Sequence, residues 1–349
     1  MPPPRTMTPR TITMRAGKVS LRLRSRAIIV GTLFLLVLLA TAGLSLSLGT
    51  FSLSPQELVD TLLGQGTNAA QKIVLEWRAP RVVIAAVFGA ALALSGAVFQ
   101  SLTRNPLGSP DIVGFSVGSF TGVLLVFLAG GAGFFATAGG ALVGGLITTL
   151  AIYAIAFRRG VQGFRLIVVG IAVSSMLTSV NTWISVKADV DTALRAAVWG
   201  AGTLNGIRWQ EALPGVVAVA ILMLLLVLQA PRLRELELGD DTAAMLGTRV
   251  ELAKLKLIVI AVGLIAVVTA IAGPIAFVAL AAPQIARRLT RAGSVDLVGS
   301  ALVGATLLTA SDLVALHAVG DKPVPVGVVT VCVGGIYLLW LLYREARRR

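Results

Sequence analysis

Apolar stretches long enough to cross a bilayer recur along this chain from one end to the other. A helix needs about 20 such residues to span the hydrocarbon core. Lipid offers a backbone amide no partner, so only helices and closed barrels cross it. These stretches are rich in Leu, Ala, Val and Gly and do not alternate apolar with polar residues. That pattern selects helices over a barrel. Of the 349 residues, 56% are hydrophobic and 13% charged, whereas a soluble domain carries about 25% charged residues. The expectation is an all-α polytopic membrane protein with about ten transmembrane helices. The spans fall at about 27–48, 82–103, 112–130, 135–157, 164–186, 212–230, 255–272, 275–286, 297–316 and 325–343. They form one transmembrane domain over 27–345. A basic tail, read as disordered, occupies 1–26, and a short tail occupies 346–349.

The formal net charge of +14 raises the question of nucleic acid, and its distribution answers it. With both ends of the chain placed inside, the inner segments hold 23 of the 30 Lys and Arg residues. Lys72, Arg78, Arg81, Lys187, Arg195, Arg208 and Lys322 fall outside. This is the positive-inside asymmetry, so the charge is a topology signal that places both termini in the cytoplasm. It does not call for nucleic acid. The basic start followed by an apolar run has the outline of a signal peptide, but the run 27–48 is too long for a signal core, which favours a retained first helix.

The chemistry of many enzymes is missing. No Gly-x-x-x-x-Gly-Lys-Ser/Thr occurs, so no nucleotide binds through a P-loop of this chain, and no His-Glu-x-x-His occurs. Cys332 and His317 are each the single residue of their kind, so neither a disulfide framework nor a zinc site can be built. Cys332 reads as a small packed hydrophobe, and His317 as a solvated loop histidine rather than a ligand. Asp312 is the one carboxylate well inside an expected span. It reads as a capping or pairing group, or as a weak member of a proton relay. An ion-coupled carrier needs a chain of such groups, so the energy source lies elsewhere.

Function must therefore reside in the polar islands. The run Gln100-Ser101-Leu102-Thr103-Arg104-Asn105-Pro106-Leu107-Gly108-Ser109-Pro110-Asp111 ends a membrane helix on charge, amides and two prolines. A second island runs over 231–247, where Asp240 is placed to accept from the free N–H groups of a helix start and Gly247 to take a left-handed cap. The short helix between them shows Ala244, Met245 and Leu246, which suits a groove on a partner or a bed of lipid headgroups. Glu235, Glu237, Asp240 and Asp241 oppose an anionic lipid surface. On the outer side, Ser54-Pro55-Gln56-Glu57 reads as the start of an N-capped helix, and Trp77 suits the interfacial belt. Over 271–288 a Gly-Pro-interrupted helix ends on arginines and echoes the span before Arg104, as an internal repeat in a transporter would. Pairs spaced by four (Gly89 and Ala93, Gly114 and Gly118, Gly140 and Gly144) read as close helix contacts.

In order along the chain stand Trp77-Arg78-Ala79-Pro80-Arg81, Gly89 to Gly96, Gln100, Arg104-Asn105-Pro106-Leu107, Leu238-Gly239, Leu246-Gly247, Gly273-Pro274-Ile275, Asp312 and Pro325-Val326-Gly327. This ordered set resembles the iron–siderophore and vitamin B12 permease family of ABC importers, over about 27–345. Asn181-Thr182-Trp183 and Gly334-Gly335-Ile336-Tyr337-Leu338 resemble, within the family, the second-subunit type of permease for a catecholate cargo, ferric enterobactin.

The resemblance implies the type II importer permease fold and a second permease subunit, a heterodimer being favoured over a homodimer. It implies two cytoplasmic P-loop ATPases docking on Gly239, Asp240, Asp241, Ala244, Met245, Leu246 and Gly247. An extracytoplasmic siderophore-binding protein would be received at Arg78 and Arg81, unless these are snorkelling arginines. An inner gate would form at Asn105 and Leu107 and around Gln162 and Gly163, unless the Asn-Pro-Leu turn is a rigid loop. The chain itself would hold no catalytic residue, cofactor or metal, with ATP and magnesium on the partner subunits. Two positions depart from the family. Gln284 follows Pro283 where His is common, and Leu316 stands where Arg is common, which puts one docking contact in doubt; Lys322 nearby offers a substitute. Hydroxamate siderophore, haem or cobalamin are alternative cargoes. An ion-coupled secondary transporter and a non-transporting membrane scaffold are alternatives of other classes.

Overall fold

A computed structural model describes residues 11–16, 19–49, 51–109, 114–131, 133–156, 163–317 and 323–347. Each of the ten expected spans has its helix. These are α1 (Ser25–Ser47), α4 (Ala79–Thr103), α5 (Phe115–Leu128), α6 (Phe134–Ala156), α7 (Gly163–Lys187), α9 (Trp209–Glu237), α11 (Val250–Ala272), α12 (Val278–Thr290), α13 (Leu297–His317) and α14 (Val326–Ala346). Short helices lie between them: α2 (Pro55–Leu62), α3 (Asn68–Gln71), α8 (Val190–Gly200) and α10 (Asp240–Met245). Among the described residues seven helical runs are long and apolar enough to cross a membrane, and α5 and the Val326–Trp340 part of α14 are shorter apolar helices.

The helix α2 starts as its sequence dictates. The Ser54 hydroxyl accepts from the Glu57 N–H, and the Glu57 carboxylate accepts from the Ser54 N–H, a reciprocal cap with Pro55 in the first turn. Three boundaries differ from expectation. The outer loop was expected to reach Arg81, yet α3, a π-helical turn (Lys72–Arg78) and α4 form one helical run over Asn68–Thr103. Pro80 has no N–H to give, and the ladder widens just before it, with the Ala79 N–H reaching back to the Val74 carbonyl. The helix α9 continues through Pro231 to Glu237 instead of ending near 230. The tail expected to be disordered holds an antiparallel ribbon of β1 (Thr11–Ala16) and β2 (Val19–Arg24), Thr11 pairing with Arg24. Val19, Leu21 and Leu23 alternate with polar residues there, the period of a strand.

The helix α4 is the axis of the bundle. In its run 78% of the apolar window is buried, against none in α1, which lies at the periphery. Around α4 pack α9, α11, α12 and α13. Glycines set the spacing. A Cβ on Gly89 would lie 2.3 Å from the Gly304 carbonyl oxygen, and a Cβ on Gly304 equally close to that of Gly89, so α4 and α13 touch backbone to backbone. Gly122 and Gly144 serve the α5–α6 contact in the same way. The break expected near 273 is present. Gly273 (φ 73°) ends α11, and α12 opens after Phe277, itself left-handed at φ 69°.

Candidate functional site

The polar residues gather at the two ends of the bundle. At the end where α4 closes, its last turn is a left-handed cap built on Arg104 (φ 49°, ψ 32°). The Arg104 N–H bonds the Ser101 carbonyl and the Asn105 N–H bonds the Gln100 carbonyl, each at 3.2 Å. A non-glycine residue in this conformation costs about 1–2 kcal/mol. The turn that follows is stiff. The Asn105 side-chain carbonyl accepts from the Leu107 N–H at 2.9 Å, an Asx turn around Pro106, and Gly108 N–H closes onto Asn105. Leu107 is half exposed.

Next to this turn stands α10. Gly239 (φ 118°) redirects the chain out of α9, and Gly247 (φ 90°) ends the short helix, as expected. The N–H of Thr248 bonds Ala243 and that of Gly247 bonds Ala244, the paired bonds of a Schellman motif. Ala243 is buried, while Met245 is 82% and Leu246 60% exposed; Ala244 and Asp241 are exposed beside them. Asp240 does not cap its own helix, which corrects the sequence expectation. Its carboxylate takes Lys254 Nζ at 2.5 Å and Arg104 Nη2 at 3.4 Å, because the largely buried Lys254 ammonium needs a counter-charge. Arg104 Nη2 also reaches the Leu236 carbonyl at 3.5 Å.

The Pro283 ring interrupts α12 and leaves the Ala279 carbonyl without its helical donor. Gln100 turns its amide toward this gap, donating to Leu280 O at 3.0 Å and lying 3.5 Å from Ala279 O. Gln284 Nε2 donates in turn to Gln100 Oε1 at 2.6 Å. The family departure at position 284 thus has a partner on α4. Gln100, Arg104, Gln284 and Arg287 line a cleft of about 260 Å³.

At the opposite end, Arg81 and Asp312 form a bidentate ion pair, with both N–O distances 2.8 Å. Asp312 is therefore a pairing group, one of the alternatives its sequence position left open. Arg78 donates to the Leu46 and Phe51 carbonyls, each at 2.7 Å. Arg81 is thus neutralised within the bundle, and Arg78 is tied to the last turn of α1 and the loop after it, contacts that the sequence does not show. Both line a cleft of about 790 Å³, together with Trp77, Arg208, Leu316 and His317. Leu316, the departure from the family arginine, thus shares the cavity of the other two. Among the described residues lining this cleft, the exposed cation is Arg208, at the start of α9.

Gln162 and Lys322 lie outside the described residues, and Gly163 opens α7. Sequence reasoning missed Lys254 and Arg208 as members of these sites, and it missed that Gln100 and Gln284, each singled out, are partners. Lys254 had a signal, a cation beside Lys256 at the edge of an apolar span.

A helical bundle with a broken helix, a glycine-framed short helix at one end and a cationic cleft at the other is the architecture of an ABC importer permease. The FecCD transport family matches residues 33–344, and the chain belongs to that family. It is similar to the ferric enterobactin transport system permease protein FepG of Escherichia coli (strain K12), with 44% identity over 326 residues, 93% of this chain and 99% of that protein. The iron(3+)-hydroxamate import system permease protein FhuG of Bacillus subtilis (strain 168) is 32% identical, covering 92% of this chain and 98% of that protein. Among solved structures, a metal-chelate type ABC transporter in an inward-facing conformation superposes with a TM-score of 0.79 and 26% identity, over 91% of this chain and 99% of that one. The chain is a multi-span permease with the type II ABC importer fold.

Proposed function

We propose that this permease carries a ferric siderophore, with a catecholate of the enterobactin kind favoured, across the plasma membrane, driven by ATP hydrolysed on separate subunits. The observation that carries this reading is the 44% identity to the ferric enterobactin permease over 93% of the chain. The termini and α10 face the cytoplasm, by the excess of Lys and Arg on that side.

Two P-loop ATPases dock on α10. Support comes from the exposed Met245 and Leu246 on a helix whose other face, at Ala243, is buried; an apolar knob of this kind fits a partner groove. ATP and magnesium belong to those subunits, and this chain supplies no cofactor site. Asn105 and Leu107 form the inner gate with the region of Gln162 and Gly163, since a proline-stiffened turn resists becoming helix and can hold a constriction. The binding protein docks over the outer cleft. There Arg78 contacts carbonyls rather than a carboxylate, so its charge, with those of Arg208 and Lys322, attracts carboxylates on the docking lobe. The missing arginine at Leu316 makes this half unlike a standard one, which favours a heterodimer with a second permease.

Uptake of radiolabelled iron tests the reading. Cells lacking this gene receive the wild-type copy and are supplied with catecholate or hydroxamate siderophore, with and without a hydrolysis-dead ATPase. Uptake that returns for the catecholate and vanishes with the dead ATPase is the expected result. Rescue by hydroxamate alone changes the cargo, and uptake indifferent to the ATPase overturns the ABC reading.

A further inference from the structure

The Arg104 side chain joins two elements that nothing in the sequence places together. It belongs to the cap of α4, immediately before the Asn105-Pro106-Leu107 turn, yet its guanidinium lies on the last turn of α9 at Leu236 and on Asp240 of α10. We propose that Arg104 is the positioning residue that makes this turn follow α10, so that a displacement of α10 is delivered to the turn as a rigid-body movement. This rests on the reading of α10 as the ATPase-facing helix and of the turn as a gate.

Three observations carry it. First, the receiving end is rigid. The Asx bond from Leu107 to Asn105, the Gly108 closure and the Pro106 ring leave the turn few ways to deform, so a pull on Arg104 moves the whole turn. Second, the sending end is anchored. Asp240 gives one carboxylate oxygen to Lys254 on α11 and the other to Arg104, which makes α10 and the start of α11 one body. Third, the link is not one that folding requires. The Arg104 and Asp240 side chains are 58% and 49% exposed and 3.4 Å apart. An exposed pair of this geometry adds little to stability, yet Arg104 keeps a left-handed conformation that a glycine would adopt without strain. A contact that adds little to folding, kept at a strained residue, is retained for the link it makes rather than for stability.

The test has two readouts. In proteoliposomes holding the complete importer, Arg104→Gln retains ATPase assembly and hydrolysis, while cargo taken up per ATP hydrolysed falls about 5-fold or more. Arg104→Lys retains most of that ratio. In a double-mutant cycle, Arg104→Gln with Asp240→Asn loses no more of that ratio than the worse single variant, because each already removes the contact the two share, whatever else Asp240→Asn releases at Lys254. An unchanged ratio in Arg104→Gln, multiplying losses in the double variant, or failure of Arg104→Gln to assemble with the ATPases each overturns the proposal. The second readout needs neither cargo nor ATPase. Spin labels on Leu107→Cys and Ala244→Cys, in a Cys332→Ser background, give one narrow distance distribution that Arg104→Gln broadens. A distribution indifferent to Arg104→Gln overturns the link by itself. Wild-type complex that takes up nothing on ATP addition overturns the transport reading instead, while the spin-label result still decides the link.

Discussion

Asp312 holds the Arg81 guanidinium in a side-on grip, Nε to one carboxylate oxygen and Nη2 to the other, both at 2.8 Å. The two residues lie 231 positions apart. Their side chains are 13% and 1% exposed, at the end of the contact between α4 and α13 opposite the Arg104 turn. Fork-to-fork geometry satisfies four polar atoms at once. It also commits Asp312 to a structural partner, which leaves it unsuited to the proton relay of an ion-coupled carrier.

Removing one member leaves a buried charge unpaired. Asp312→Ala is expected to destabilise the protein by about 3–5 kcal/mol. Replacing both residues, Arg81→Leu with Asp312→Leu, restores much of the loss. Thermal unfolding of the detergent-solubilised chain, with the single and double variants side by side, checks this.

Backbone contact between α4 and α12 leaves no room at Gly96, where a Cβ would lie 1.7 Å from the Ala279 carbonyl oxygen. Gly96→Ala is expected to cost about 1–3 kcal/mol as the helices are forced apart. Gly139 has open space around its Cβ position, so Gly139→Ala is neutral or mildly stabilising. The yield of folded protein and the melting temperature report the contrast.

Substituting Gln284 by Leu removes the donor to Gln100 Oε1. A buried acceptor left without its partner costs about 1–3 kcal/mol. The loss is measurable as a lower melting temperature, and Gln100→Met in the same chain softens it by removing the orphaned acceptor.

Charge on the α10 knob separates docking from folding. Met245→Asp and Leu246→Asp are surface changes and shift stability by within about 0.5 kcal/mol. Co-purification of the ATPase subunits is expected to fail, and ATP-driven uptake with it. Normal uptake in these variants refutes docking on α10.

Acid acts on α2 through Glu57. Hydrogen bonds from the Ser54 backbone and then its hydroxyl hold the Glu57 carboxyl below its ordinary range. A depressed folded value means the contribution is present above the ordinary carboxylate pKa and is lost as pH falls through the lowered one. Protection of the α2 amides, as the ratio of intrinsic to observed exchange at each pH, therefore falls on acidification below the usual glutamate range, and Glu57→Gln abolishes that step.

Much of the fold could be read from periodicity and composition alone. All ten spans, the capped α2, the glycine-framed α10 and the break at Gly273 were legible because each follows from local rules: lipid demands internally bonded helices, and glycine or proline sets where they stop. The same local rules misplaced the boundary at Pro231 and the partners of charged groups. Asp240 reads as a cap from its position, but a lysine fourteen residues later claims it. Arg78 and Arg81 read alike in the sequence, but Arg81 pairs with Asp312 and Arg78 with two carbonyls. Gln100 answers a proline nearly two hundred residues away. The sequence by itself determined the helices, their order and the residues able to carry charge within the bundle. Tertiary structure alone decided which of those charges meet, because a polar group in a low-dielectric interior takes whichever partner the packing brings within hydrogen-bond reach.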